Sequence, residues 1–335
     1  MLLLAGGGPT ILSGEFHPGT GWTTTVLNDA TADGLAIANI SGSSAVGVIR
    51  SKSGGGELRY ASWSPGSWTA FKMIAPLETT SSTPSIVASG ARADLTFRGD
   101  NTKHYYAAHT FGVWTPLAEP IQLMNAPQIQ GPTPSSVTAI GSDTIVAFAG
   151  DNGELYDQTR TGGVWQGAHG HSLGNVVTVT PQVIALNGGF ADLLIVFVNK
   201  SDSKLLFTTR SAGIWSASVQ VDQNTFSADP VGLVALPGGK AALAFRGLDG
   251  KIYASRYDPN GAPVWSLPGP IANPNYATPS SPAITGGVGG VDAELVFVNS
   301  ADGGAYHTSL TNTTWSAPTL VGGSGLTHIG VSSAP

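Results

Sequence analysis

Tryptophan recurs along this chain with a near-constant spacing, and that spacing constrains the fold more than any other feature. Markers at Trp22, Trp68, Trp114, Trp165, Trp215, Trp265 and Trp315 are separated by 46, 46, 51, 50, 50 and 50 residues. Each closes the same sentence, clearest in Ala241–Trp265: an apolar strand, a Leu-Asp-Gly turn, a second strand, a glycine-containing turn, then tryptophan. Asp-Gly between apolar-rich runs signals a hairpin, because glycine accepts the positive φ that the turn demands. Units of about 48 residues have room for four short strands, and a period near 50 is that of propeller blades rather than helical solenoids.

The pattern predicts an all-β fold: a single seven-bladed β-propeller of four-stranded antiparallel blades. The first unit begins at Met1 and has room only for a hairpin and the Trp strand. The segment from Gly325 has the shape of the missing inner strand. From Gly325 around to Trp22 is 33 residues, against 35 from Gly34 to Trp68. The ring is therefore expected to close by the C-terminal strand joining the N-terminal blade, which removes free sheet edges. One domain over 1–335 follows, with blade 1 from 326–335 plus 1–27. The other blades are expected near 34–73, 83–121, 134–174, 181–221, 230–271 and 282–321.

Local patterns support this reading. Proline pairs such as Thr83-Pro84, Asp229-Pro230 and Ser281-Pro282 precede the inner strands, where a missing ladder donor is tolerated. Second strands such as Leu194–Val198 and Leu295–Val298 are continuously apolar, as strands covered on both faces require. An aromatic at one register of the third strand (Tyr60, Tyr106, Tyr156, Phe207, Tyr253, Tyr306) reads as packing between blades.

Composition narrows function mainly by exclusion. Charged residues make up 11%, glycine numbers 45, and the net charge is −6, with no basic footprint for nucleic acid or an anionic membrane. No apolar run is long enough to span a bilayer, so no membrane insertion is expected. Absence of cysteine rules out thiolate metal sites. The start, Met1-Leu-Leu-Leu, lacks the basic region and length of a signal peptide, yet an extracellular or cell-surface location is expected from the reading below.

Two residue sets suggest ligand binding. Arg50, Arg98 and Arg246 close the second strands, and a planar guanidinium can donate two bonds to vicinal hydroxyls. Trp68, Trp114 and Trp265 carry indoles suited to stack on a pyranose face if they stand in clefts between blades; otherwise they are blade-to-blade wedges. Arg98-Gly99-Asp100 is a chance-level tripeptide within a repeated turn. The turn acids Asp100, Asp151, Asp202, Asp249 and Asp302 offer one carboxylate each, too few for calcium. His169-Gly170-His171 has no third ligand near it in sequence, so no metal and no cofactor is expected.

The phrase Phe-Arg-Gly-x-Asp-Gly-x-Ile-Tyr followed by Gly-x-x-x-Trp-Ser, at Phe245–Tyr253 and Gly261–Ser266, resembles the blade motif of bacterial seven-bladed propeller lectins. The best known of these are fucose-binding lectins of insect-pathogenic bacteria. The resemblance implies multivalent glycan binding between blades, with fucosylated or galactosylated partners and Arg50, Arg98, Arg246, Trp68, Trp114 and Trp265 at the sites. This chain departs from the motif after Trp-Ser, where the family often has further tryptophans. A non-enzymatic lectin is expected, with homo-oligomerisation left open. The alternatives are a propeller hydrolase or lyase acting on glycans, and a protein-docking propeller. No His-Glu-x-x-His or Ser-x-Asp-x-Gly-x-x-Trp box is present.

Overall fold

The computed structural model describes residues 2–6, 11–27, 32–41, 44–51, 55–74, 79–121, 130–171, 177, 179–271 and 276–332. Parts of the expected blades, among them 1, 7–10, 172–174 and 333–335, lie outside the described residues. The described chain is built from β-strands and short turns, and no helix is long and apolar enough to cross a membrane.

Seven antiparallel sheets follow one another along the chain. The first joins Leu2–Gly6, Ile11–His17 and Gly21–Leu27 to the C-terminal strand His328–Ser332, in register Leu2↔Ser332 to Gly6↔His328. In the second to seventh sheets the inner strand is Ala32–Ser41, Ser85–Ser89, Ser136–Ile140, Gln182–Ala185, Gly232–Leu236 and Ala283–Gly286 respectively. Inner strands touch in a ring, from His328–Ser332 through each of these in turn and back from Ala283–Gly286 to His328–Ser332. The architecture is a β-propeller.

Two parts of the expected architecture need correction. First, the strand pairing at the termini completes one blade but closes no sheet on itself: every sheet is open, and neighbouring sheets meet through side chains. Second, the blades are not uniformly four-stranded. The second, fourth, fifth and seventh sheets carry a fifth strand, because the outer strand is broken in two. In the fifth sheet, for example, Ile214–Trp215 and Val219–Gln220 both pair with Leu205–Ser211.

A hydroxyl residue after the marker tryptophan covers the break in the second, fifth and seventh sheets, while Gln166 stands there in the fourth. Where the outer strand leaves the ladder, the hydroxyl after tryptophan takes its place. Ser216 Oγ accepts from the Thr209 amide at 3.1 Å, Ser266 Oγ from Arg256 at 2.9 Å and Ser316 Oγ from Ser309 at 3.0 Å. Thr69 Oγ1 does the same for Ser62 at 3.0 Å. A short polar side chain thus satisfies a backbone donor that a strand break would orphan. The turn before tryptophan is equally dictated: Ala212 (φ 50°) and Gly213 (φ 79°) both sit at positive φ, as a two-residue turn matched to strand twist requires.

The aromatic series also divides. Tyr105, Tyr156, Tyr253 and Tyr306 stack on the second-strand Phe97, Phe148, Phe245 and Phe297 within one sheet, with interplanar angles of 14–20°. Tyr60, Tyr106 and Phe207 stand one register on and face the next sheet, where they meet a marker indole edge-on. The centroid distances are 5.6 Å for Tyr60–Trp114, 5.5 Å for Tyr106–Trp165 and 5.6 Å for Phe207–Trp265. The core is consequently a set of seams. The largest cluster spans the fifth and sixth sheets, from Leu194, Val196 and Phe207 to Leu243, Phe245 and Trp265.

Two outcomes follow from the seams. Trp265→Ala empties a seam in which the indole is only 2% exposed, and should cost about 3–5 kcal/mol in urea unfolding, whereas Trp68→Ala, half-buried, should cost clearly less. His104, fully buried beside Phe148, has its pKa lowered to about 3 by burial and by Arg98. The unfolded chain takes up this proton near pH 6.5 and the fold only near pH 3, so stability should fall as pH drops through that window. His104→Phe should flatten the dependence of the melting temperature on pH by one proton's worth.

Candidate binding grooves

The three arginines singled out from the sequence all reach across a seam to backbone. Arg98 Nε donates to the Gly131 carbonyl at 2.6 Å and Arg246 Nε to the Thr278 carbonyl at 2.7 Å, while Arg50 Nε donates to the Thr80 carbonyl. Arg98 Nη1 also reaches Ser81 Oγ at 2.7 Å, and Arg246 Nη1 pairs with Asp229 at 2.8 Å. Each thereby ties the end of a second strand to the loop entering the next blade. Of the singled-out tryptophans, Trp114 and Trp265 are buried at 4% and 2% exposure, inside seams; Trp68 is half-buried. The structure therefore does not bring these six residues together around one opening.

In six of the seven seams the openness of an indole follows the residue it faces in the preceding sheet; at the other, Trp22 meets the His307 ring edge-on at 5.3 Å and is still partly exposed. Three residues before the partner of the marker Trp, the seven sheets hold Ser13, Tyr60, Tyr106, Asp157, Phe207, Ala254 and His307. Where that residue is Tyr60, Tyr106 or Phe207, the indole of Trp114, Trp165 or Trp265 is buried. Where it is Ser13, Asp157 or Ala254, the indole of Trp68, Trp215 or Trp315 is partly exposed. Trp68 Nε1 donates to Ser13 Oγ at 2.7 Å.

The seam between the sixth and seventh sheets opens into a groove. With only a methyl at Ala254, a groove of about 480 Å³ forms, walled by Trp315 on one side and by Leu267 and Pro270 on the other. Arg256, Ser266 and Thr314 supply its polar groups, and the Arg256 guanidinium is steadied by the Asn312 carbonyl. An apolar and aromatic wall with a few convergent donors, in a volume within the usual range, is the composition of a small-molecule site. A second groove of about 400 Å³, between the fifth and sixth sheets, is lined by Asp222, Asn224, Asp249, Leu248 and Tyr253. There Tyr253 Oη donates to Asp249 Oδ2 at 3.0 Å.

The central opening, about 460 Å³, is lined by the inner strands and by the proline-bearing entries Thr83-Pro84, Asp229-Pro230 and Ser281-Pro282. Its only titratable lining residues among those described are Asp229, which is paired with Arg246, and His328. Glycosidic hydrolysis ordinarily needs two carboxylates facing one bond, and the described lining of this opening holds one.

No protein-family model matches the chain, and no curated protein sequence matches it. Solved structures do match in fold. The BP39L lectin of Burkholderia pseudomallei superposes with a TM-score of 0.70 at 15% identity, covering 95% of this chain and 97% of that one. The fucose-specific lectin of the fungus Aleuria aurantia, described as a six-bladed β-propeller, gives 0.59 at 13% identity, covering 86% and 95%. The Trypanosoma rangeli sialidase gives 0.52 at 12% identity, and the match covers 56% of that longer chain. The neighbours share a β-propeller fold with this chain, and most are lectins.

Arg256 and Trp315 were missed as a pair because the sequence signal is a subtraction. Alanine follows Tyr253 where tyrosine or phenylalanine stands at the matching register of three other sheets. Ala254→Phe should rebuild the closed seam, burying Trp315 as Phe207 buries Trp265. One fewer indole should then be accessible to acrylamide quenching, with the fold unchanged by circular dichroism.

Proposed function

We propose that this protein is a carbohydrate-binding propeller, a lectin without catalytic activity, whose sugar sites lie in seams that an open indole shares with polar groups. The carrying observation is that Trp68 and Trp315 face small residues, Ser13 and Ala254, while their repeat equivalents Trp114, Trp165 and Trp265 are shut by an aromatic ring. A pyranose offers a C–H face to such an indole and hydroxyls to Arg256, Ser266 and Thr314. The lectins among the fold neighbours, including the fucose-specific lectin of Aleuria aurantia, support fucosylated glycans as partners, and galactosylated glycans are a second class to test. Binding at more than one seam raises apparent affinity for a glycan-covered surface by avidity, which suits an extracellular setting. Arg50, Arg98 and Arg246 serve such sites at one remove, by fixing the spacing of adjacent blades, and Trp114 and Trp265 by holding the seams rigid.

A glycan array probed with the labelled protein, followed by calorimetry on any hit, tests the reading. Binding of fucosylated or galactosylated ligands is expected, with Trp315→Ala and Arg256→Ala each weakening the sixth-to-seventh seam about tenfold or more while leaving the melting temperature nearly unchanged. A blank array across neutral and sialylated glycans would overturn it. Release of reducing sugar from a bound glycan would instead favour the hydrolase alternative.

A further inference from the structure

In the sequence, His169-Gly170-His171 lacks a third ligand; the fold supplies one from the adjoining strand. Asp157, on Leu155–Thr161, lies directly across from His169 in the ladder. Its Oδ1 is 3.3 Å from His169 Nδ1 and 3.0 Å from His171 Nε2, and the three ligand atoms lie within 4.8 Å of one another. Around a divalent ion held by bonds of about 2.0–2.2 Å, the edges of a tetrahedron are roughly 3.3–3.5 Å, which the two Asp157–imidazole separations of 3.3 and 3.0 Å approach. Residues two apart in a strand share a face, which is why both imidazoles point to the same side. A Cβ at Gly170 would come within 2.9 Å of the Tyr156 ring, so glycine lets the strand pass close to that ring.

The other sheets provide an internal comparison. At the register of Asp157 they carry Ser13, Tyr60, Tyr106, Phe207, Ala254 and His307. At the register of His171 they carry Ile74, Ile121, Val221 and Ile271, all buried, and each of these amides donates to the third strand as the His171 amide donates to the Leu155 carbonyl. Packing therefore calls for an aliphatic residue at the second place, and for nothing charged at the first. The fourth sheet alone has a carboxylate and an imidazole there. The Asp157 side chain is only 6% exposed and the His171 side chain 1%, while His169 is 54% exposed. Both ion pairs formed by Asp157 among the described residues are with these histidines, and burying a carboxylate is costly unless positive charge compensates it. The His171 ring is set in place by edge-on contact with Trp215 at 4.8 Å.

We propose that Asp157, His169 and His171 form a binding site for a first-row divalent cation with zinc-like preferences, open to water or a ligand on the His169 side. Two imidazoles and one carboxylate with no thiolate suit zinc, cobalt(II) or nickel(II) rather than calcium. The site bridges the third and outer strands of one blade and abuts the half-open Trp215. It needs no sugar binding and stands independently of the lectin reading.

Titration of the full chain with Co²⁺, followed by visible absorption, and with Zn²⁺ by calorimetry, tests the site. The expected result is one ion per chain, a visible ligand-field band, and about tenfold or greater weakening in His169→Ala. His17→Ala, an exposed histidine beside Glu15 in the first sheet, should bind as the wild type does. His169 is exposed, so its variant reads binding without endangering the fold; Asp157→Asn adds a second reading if it folds. No saturable binding up to about 1 mM metal, or equal binding by His169→Ala, would overturn the site and leave the trio as a hydrogen-bonded His-Asp-His cluster.

Discussion

The edge-on contact between a marker indole and the third strand of the preceding sheet is the interaction on which this molecule depends. No sheet closes on itself, so strand ladders hold each blade together but do not run from one blade to the next. That task falls to side chains at the seams, where Trp114, Trp165 and Trp265 are wedged against Tyr60, Tyr106 and Phe207. Arginines at the second-strand ends, reaching backbone carbonyls across the seam, set the spacing that these wedges fill. Burial of apolar surface favours the wedges, and the arginine contacts add direction to a force that has none of its own.

A repeating seam can change its role by a single replacement. Where the facing residue is a bulky aromatic, the seam is core. Where it shrinks to Ala254 or Ser13, the indole gains an open face, and nearby hydroxyls and a guanidinium turn the gap into a polar-rimmed groove. Where it becomes Asp157 and the aliphatic beside it becomes His171, the same place turns into a compact polar cluster. Stability is supplied by the shut seams, which leaves the others free to depart from good packing. In a structure of near-identical units, departures from the unit mark candidate sites without any comparison to other proteins.

The fold was legible because its signals are periodic and local. Trp spacing, Asp-Gly turns, apolar second strands and X-Pro entries each recur at fixed offsets, and the strand supplied by the C-terminus could be read from what the first unit lacked. The broken outer strand was not legible, since Trp-Ser looks like strand sequence until the serine hydroxyl is seen to satisfy a backbone amide. Tyr60, Tyr106 and Phe207 could not be told from Tyr156, Tyr253 and Tyr306 either. A shift of one residue sends a side chain to the opposite face, and only the pairing register reveals it.

The sequence by itself determined the class, the repeat and the residues that punctuate it, because strand patterning and turn chemistry act between near neighbours in the chain. Which indoles are open, and where the arginines reach, was decided by the tertiary structure, because those contacts join sheets about 50 residues apart. The pairing of Asp157 with His169 and His171 belongs to the same class. Twelve residues separate Asp157 from His169 in the chain, and a strand, a turn and a second strand bring their atoms to 3.3 Å.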